Sequence, residues 1–339
     1  MRFIAGRALA WKRVSVPLPV VSPEFCMDPH STLTRRAFVG GTAVTAAGLL
    51  GGRVLCAATL RPFKLRYAVA SSLYGGLSLT EILPEVPLTG ANVIDLWPRK
   101  HGTQREEADE WGRARLTEAL KRHGVSLGLT TRFDLGPFGL AEELKYVAAM
   151  GGRMIVTGGK GAVGLAGPEL KEEVRRFVEN MKPTLALAGE AGVQVAIENH
   201  SNNLINTPDS LRWMLEFSTG QPIGVALAPY HLPQDPALLA GLIRELGPRL
   251  LLFYAWEYGR GCMKPMPLEE ERMQMPGRGP LDYAPLLQAL RDIRFDGLTE
   301  IFMHPTPRGR PILETATLVT EEINRARRHL ESVLSGLPR

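Results

Sequence analysis

The sequence predicts an α/β fold of the (β/α)8 TIM barrel type, and three observations predict it. Eight short apolar runs alternate with longer amphipathic ones from residue 63 onward. Successive runs lie mostly about 30 residues apart, the length of one strand and its crossover helix. No Gly-rich phosphate turn follows the first run. Ser71-Ser72-Leu73-Tyr74-Gly75-Gly76 is not G-x-G-x-x-G, which weighs against an open doubly wound sheet, the alternative architecture.

The strand-like runs are Leu65–Ser72, Asn92–Trp97, Ser126–Thr131, Met154–Thr157, Val193–Glu198, Ile223–Ala228, Leu250–Tyr254 and Leu298–Met303. They are rich in aliphatic and β-branched residues and end at polar or Gly-containing turns. Helix-like segments cover Glu106–His123, Leu140–Met150, Pro168–Ala191, Ser210–Phe217, Pro236–Leu246, Tyr283–Ile293 and Glu314–Leu334, with a weaker one at Leu77–Leu83. Thr207-Pro208-Asp209-Ser210 and Gly167-Pro168-Glu169 put proline and an acid in a first turn. His123-Gly124, Met150-Gly151 and Ala191-Gly192 pass from helix to strand through the residue that accepts a left-handed cap. The loop from Gly259 to Pro280 reads as an insertion over the barrel mouth, so residues 63–334 form one domain.

Composition fits a globular protein: 339 residues, 45% hydrophobic and 22% charged, enough to bury a large core. The net charge of +5 is unevenly placed, because ten basic residues stand against two acidic ones in the first 66. The rest of the chain is slightly acidic. Nucleic-acid binding therefore loses its electrostatic footing.

That basic N-terminal stretch reads as an export signal covering residues 1–58. Thr34-Arg35-Arg36-Ala37-Phe38-Val39 resembles the twin-arginine consensus. An uncharged run, Val39 to Gly52, follows, and then Cys56-Ala57-Ala58, a small-x-small cleavage site. The run is shorter than the roughly 20 residues a bilayer span needs. The expected partner is the twin-arginine machinery, with a mature form not embedded in the membrane and an exported, periplasmic or cell-envelope location; a retained anchor is the alternative. Met27 would leave an n-region of normal size, as the true start. Of Cys26, Cys56 and Cys262, only Cys262 would survive cleavage after Ala58, which leaves no internal disulfide.

Barrel chemistry sits at the C-terminal strand ends, and the period of two decides what faces inward. Val193, Val195 and Ile197 point one way, while Ala196, Glu198 and His200 point the other. The second strand sends Asp95, Trp97 and Arg99 inward, and the third ends at Arg132. The fourth runs into Thr157-Gly158-Gly159-Lys160-Gly161, whose spacing is not that of a Walker cradle. The sixth leads through Gly224, Ala226 and Ala228 to Pro229-Tyr230-His231. The seventh offers Tyr254 and Trp256, with Glu257 just beyond, and the eighth Glu300, Phe302 and His304.

Ala196-Ile197-Glu198-Asn199-His200, Ala228-Pro229-Tyr230-His231, Pro276-Gly277-Arg278-Gly279-Pro280-Leu281-Asp282 and Phe295-Asp296-Gly297 resemble the xylose isomerase-like TIM barrel superfamily, the sugar phosphate isomerase/epimerase group. The resemblance covers residues 63–334. It implies one divalent ion held by a Glu, an Asp, a His and a Glu from strands five to eight. Carried across, the first ligand falls on Glu198, but the others fall on Ala228, near Tyr254 and near Phe302, so the ligand set is incomplete. Two options stay open. A divalent metal (Mn, Zn or Mg) could sit on a rearranged set of Glu198, His231, Glu300 and His304, with His200 as a further candidate. Alternatively, Glu198 acts as base and His231 or His304 as acid without it.

The catalytic candidates are thus Glu198, His231 and His304. The substrate-binding candidates are Trp97, Arg99, Arg132, Lys160, His200, Tyr254, Trp256 and Glu257, with Arg132 and Lys160 on an anionic or carbonyl oxygen and the aromatics on sugar C–H faces. Structural readings stand beside these. Glu198 could pair with a lumen arginine, His200 could bond the Asn202–Asn203 loop, and Glu300 could be a buried ion-pair member. His101, Lys100, Arg308 and Arg310 read as solvated surface. The expected function is sugar isomerisation or epimerisation by proton transfer next to a carbonyl, on a small carbohydrate substrate. The alternatives are a non-catalytic carbohydrate-binding barrel and a metal-dependent lyase or hydrolase on the same fold.

Overall fold

The computed structural model describes residues 62–262 and 264–338. The twin-arginine segment Thr34–Val39, the run that follows it, Met27, Cys26, Cys56 and the cleavage site lie outside the described residues. Among the described residues no helix is long and apolar enough to cross a membrane.

The chain alternates strands and helices as expected. β1 (Tyr67–Ala70) leads through α1 (Leu79–Ile82) to β2 (Val93–Leu96) and α2 (Gln104–Arg122). Then come β3 (Ser126–Thr131), α3 (Ala141–Ala149), β4 (Met154–Gly158), α4 (Gly167–Ala191), β5 (Gln194–Glu198) and α5 (Pro208–Phe217). β6 (Ile223–Leu227), α6 (Pro236–Leu246), β7 (Leu250–Ala255), α7 (Leu268–Glu271), α8 (Ala284–Asp292), β8 (Leu298–Ile301) and α9 (Ala316–Gly336) complete it. All eight strands pair parallel in sequence order, and β8 pairs back onto β1 to close the barrel. Closure leaves no sheet edge, and each crossover helix covers the outer face of its strands.

Local signals explain the element ends. The weak first helix exists because Ser78 and Glu81 form a reciprocal capping box. Thr207 and Ser210 do the same for α5, with Pro208 in its first turn. Gly124, Gly151 and Gly192 hold the left-handed caps expected of them. α4 buries Leu170, Val174, Phe177, Val178, Met181 and Leu185 at helical spacing against the barrel wall, despite Pro183 within it. α2 is not the uninterrupted helix the pattern suggests, because Gly112 adopts φ 70, ψ 161 and kinks it.

β8 leaves the ladder at Ile301, two residues before the expected end. The Gly259–Pro280 insertion carries α7 and folds back through Gln274. That side chain accepts from the Trp256 indole N–H at 2.9 Å and from His304 N–H at 3.2 Å, and donates to the His304 carbonyl at 3.0 Å. The insertion is thereby tied to the ends of β7 and β8.

Candidate active site

Strand parity sends Asp95, Glu198, Tyr254 and Glu300 into the lumen, where Glu198 feels the charge of Asp95, and Glu300 feels both. Register supplies the space. Ala70 pairs with Asp95, Gly158 and Ala226 with Glu198, and Ala68 with Glu300. A barrel interior is ordinarily filled by bulky branched side chains; small neighbours here leave room for acids.

The three carboxyls are at most 3% exposed, so ionisation is costly. Burial, with Asp95 nearby, pushes Glu198 up to about 8. Burial likewise raises Asp95 to about 7, against the Thr131 hydroxyl that donates to it at 2.6 Å. Among the described residues both oxygens of Glu300 lack a hydrogen-bond partner, and burial holds its carboxyl well above the usual range. Among the described residues no arginine or lysine pairs with this trio, and the ion-pair contact of Glu198 there is His231, not an arginine.

Above Glu198 lies His231, on the turn Pro229–His231 that follows β6. Its Nε2 stands 3.6 Å from Glu198 Oε1 and has no hydrogen-bond partner among the described residues. Burial, then the charges of His200 and Arg308, depress the ring to about 2, so it is neutral. A carboxyl near 8 beside a neutral imidazole is a pair that can pass a proton near neutral pH.

Four histidines ring the mouth in two pairs: His200 and His231 with ring centres 4.1 Å apart, His101 and His304 at 4.7 Å. Between the pairs runs an aromatic floor. Phe302 stacks on Trp97 at 5.3 Å and meets Trp256 at 5.0 Å, and Trp256 stacks on Tyr230 at 4.0 Å. A cavity of about 420 Å³ opens beside His231, lined also by Ser201, Gln234 and Tyr258. A second, of about 210 Å³, opens beside Trp97, Thr131 and His101.

The structure thus gathers Glu198, His231, His304, His200, Trp97, Tyr254 and Trp256, and removes others. Arg132 is not a free anion-binding group, because its guanidinium is held by Glu143 and Asp134. Glu257 is a loop anchor rather than a substrate contact: it accepts from Gly277 N–H at 3.1 Å and Leu281 N–H at 2.8 Å. A Cβ on Gly279 would come within 2.5 Å of that carboxylate, so glycine is required for its close approach. Lys160 and Arg99 are exposed, Arg99 at the rim of the smaller cavity and Lys160 outside both. The glycines around Lys160 serve packing, since Gly158, Gly159 and Gly161 lie against Asn203, Ile205 and Leu204.

The rearranged metal set is not brought together either. Among the described residues no three His, Cys, Asp or Glu side chains are placed to hold an ion. Glu300 lies a layer down, level with Tyr254, while His304 rises beside His101 and Trp97. Nor does the family's own ligand set fit. At position 302 an apolar ring is packed among Trp97, Tyr254, Trp256 and His304. At Ala228 the backbone is fully engaged by the Asn199 amide.

Three mouth residues escape sequence reasoning. His101 is half-buried and edge-on to Trp97, not solvated. Gln274 carried no local signal in its loop. Arg308 is half-buried near the four histidines, whereas Arg310 pairs with buried Glu271 at 2.6 Å. Asp95 was legible by parity but had no role assigned to it.

The family model described as "Xylose isomerase-like TIM barrel" matches residues 88–329. Among solved structures, a D-psicose 3-epimerase determined in the presence of D-fructose is similar at 17% identity and TM-score 0.61, covering 80% of this chain and 100% of that one. An L-ribulose 3-epimerase is similar at 16% identity and TM-score 0.60, covering 80% and 95%. A probable 3-DHS dehydratase from Bacillus anthracis is similar at 15% identity and TM-score 0.58, covering 79% and 99%. At these identities the likeness is one of fold. No curated protein matches the chain in sequence.

Proposed function

We infer the function from one premise: the chain belongs to the xylose isomerase-like TIM barrel family. We propose that it is an isomerase or epimerase acting on a sugar or keto-sugar by proton transfer at the carbon next to a carbonyl. The observation that carries this reading is the Glu198–His231 pair, 3.6 Å apart at the floor of the mouth. Ionised Glu198 takes the C–H proton, and His231 exchanges a proton with the substrate oxygen from the other side of the contact. The hydroxyl of Tyr254 and the indole N–H of Trp97 make no close hydrogen bond among the described residues, though each lies near a carboxyl, Glu198 and Asp95 respectively, and they are the donors nearest to the oxyanion that develops. Trp97, Phe302 and Trp256 supply the apolar faces on which a sugar ring or chain can lie.

The test is solvent-deuterium incorporation. A ketose incubated with the protein in D2O should acquire deuterium next to its carbonyl, and should not with Glu198→Gln. Retained exchange in that variant would remove Glu198 from the role of base. One observation favours a second reading, a carbohydrate-binding barrel without chemistry: an aromatic ring occupies the position where the family's last acid falls, at Phe302. Ketose binding with no exchange at any pH would select it. We propose further that the protein is exported by the twin-arginine route, on the strength of Arg35-Arg36 and the uncharged run behind them.

A further inference from the structure

Among the described residues Arg308 is the cation whose charge reaches all four mouth histidines while it pairs with no acid. It sits on the segment after β8, half-buried, and one guanidinium N–H donates to the Pro305 carbonyl at 3.2 Å. Among the described residues it makes no ion pair, whereas Arg310, Arg132 and Arg278 each hold a carboxylate. The segment is pressed against the loop after β2, because a Cβ on Gly309 would come within 2.8 Å of the Lys100 carbonyl. That loop carries His101, which packs on His304 and Trp97. His200 and His231 close the other side of the mouth. The Arg308 charge reaches His101, His200, His231 and His304 alike, and adds to the burial that keeps them neutral.

Unpartnered groups point to a ligand here. Among the described residues His231, 3% exposed in its side chain, has a bare Nε2, and His101 Nδ1 is bare as well. A half-buried guanidinium above neutral imidazoles is a receptor for an anion, since no protein carboxylate competes for it. One planar cation and no helix N-terminus among these groups match a single negative charge better than a double one.

We propose that the substrate carries a carboxylate and that Arg308 receives it at the barrel mouth, over His101 and His200, leaving the sugar carbon chain on the aromatic floor. This rests on reading the mouth as the substrate site of a sugar isomerase or epimerase, and it narrows that substrate to a sugar acid.

Three probes of matched skeleton test it: D-fructuronate, neutral D-fructose and D-fructose 6-phosphate, each titrated by calorimetry. D-fructuronate should bind about 10- to 100-fold more tightly than D-fructose, the range of one charge-assisted pair. Arg308→Gln should erase that preference, while Arg308→Lys keeps part of it. In the unaltered protein, raising salt should weaken D-fructuronate and leave D-fructose unchanged, a readout that needs no variant. Equal affinity for the neutral and carboxylate sugars would overturn the proposal, as would a preference that survives Arg308→Gln. Tighter D-fructose 6-phosphate would replace carboxylate by phosphate and overturn it too. Deuterium exchange separates this from the proposed function. Arg308-dependent binding of D-fructuronate without exchange sinks the isomerase reading alone. Exchange into D-fructose as fast as into D-fructuronate, unaffected by Arg308→Gln, sinks the carboxylate receptor alone.

Discussion

His231 Nε2 faces Glu198 Oε1 across 3.6 Å, a contact between the turn after β6 and the last residue of β5. Among the described residues neither group is held by a salt bridge from elsewhere. Burial moves them in opposite directions, the carboxyl up to about 8 and the imidazole down to about 2. Both are therefore mostly neutral near pH 7, and Glu198 must lose its proton before it can act as base, so the competent fraction grows as pH approaches about 8.

The exchange rate should track that pair. Glu198→Gln is isosteric and should lower turnover by about 10²–10⁴-fold, the usual share of a positioned acid or base. His231→Gln should lower it less if the imidazole only returns the proton. Stopped exchange into ketose, read by NMR in D2O, measures both, and the pH profile of the unaltered protein should rise toward the Glu198 value of about 8.

Stability should fall as pH rises from about 6.5 to about 8. Folded Asp95, Glu198 and Glu300 keep protons that the unfolded chain has released, so their contribution is full at acid pH and is lost as pH passes about 7 and about 8. The mouth histidines act oppositely: their buried rings stay neutral, so stability is lost as pH falls below about 6.5, where the unfolded chain takes up protons. Above that point only the carboxyl slope remains. Urea midpoints across the range should show it, and Glu198→Gln should flatten it; a midpoint that rises toward pH 8 would contradict the buried-acid account.

Gln274 should matter more than its place in a loop suggests. Its amide serves Trp256 and both backbone groups of His304, all buried. Gln274→Ala would orphan those groups, and a loss of ~2–4 kcal/mol is expected in denaturant unfolding. If only the exposed rim moved, the melting transition would be unchanged and the insertion would not be a structural clamp.

Export should depend on the arginine pair. With Arg35→Lys and Arg36→Lys together, the full-length precursor should accumulate in the cytoplasm, while the unaltered chain appears shortened in the cell envelope. Fractionation and mass of the mature N-terminus measure this, and unchanged export of the double variant would discard the twin-arginine reading.

Much of the site was legible because strand periodicity is local. Val193 through His200 alternate, so Glu198 and Ala196 had to share a face, and the same parity turned Asp95 and Glu300 inward. The incomplete ligand set was legible too, since Ala228 and Phe302 cannot supply an acid. Arg132 was misread for a long-range reason: its partner Glu143 sits on α3, and nothing adjacent to Arg132 announces that its charge is taken. Glu257 was misread likewise, its two N–H donors coming from Gly277 and Leu281, 20 and 24 residues on.

Alone, then, the amino-acid order determined the barrel, its strand sequence and which side chains turn toward the lumen, because hydrophobic period and turn chemistry act over a few residues. Tertiary structure decided which of those side chains remain free. Register set Glu300 a layer below His304, loop packing brought His101 and Arg308 to the mouth, and distant acids claimed Arg132 and Arg310. Whether a charge is available or already paired depends on neighbours that only the closed ring of strands brings within reach.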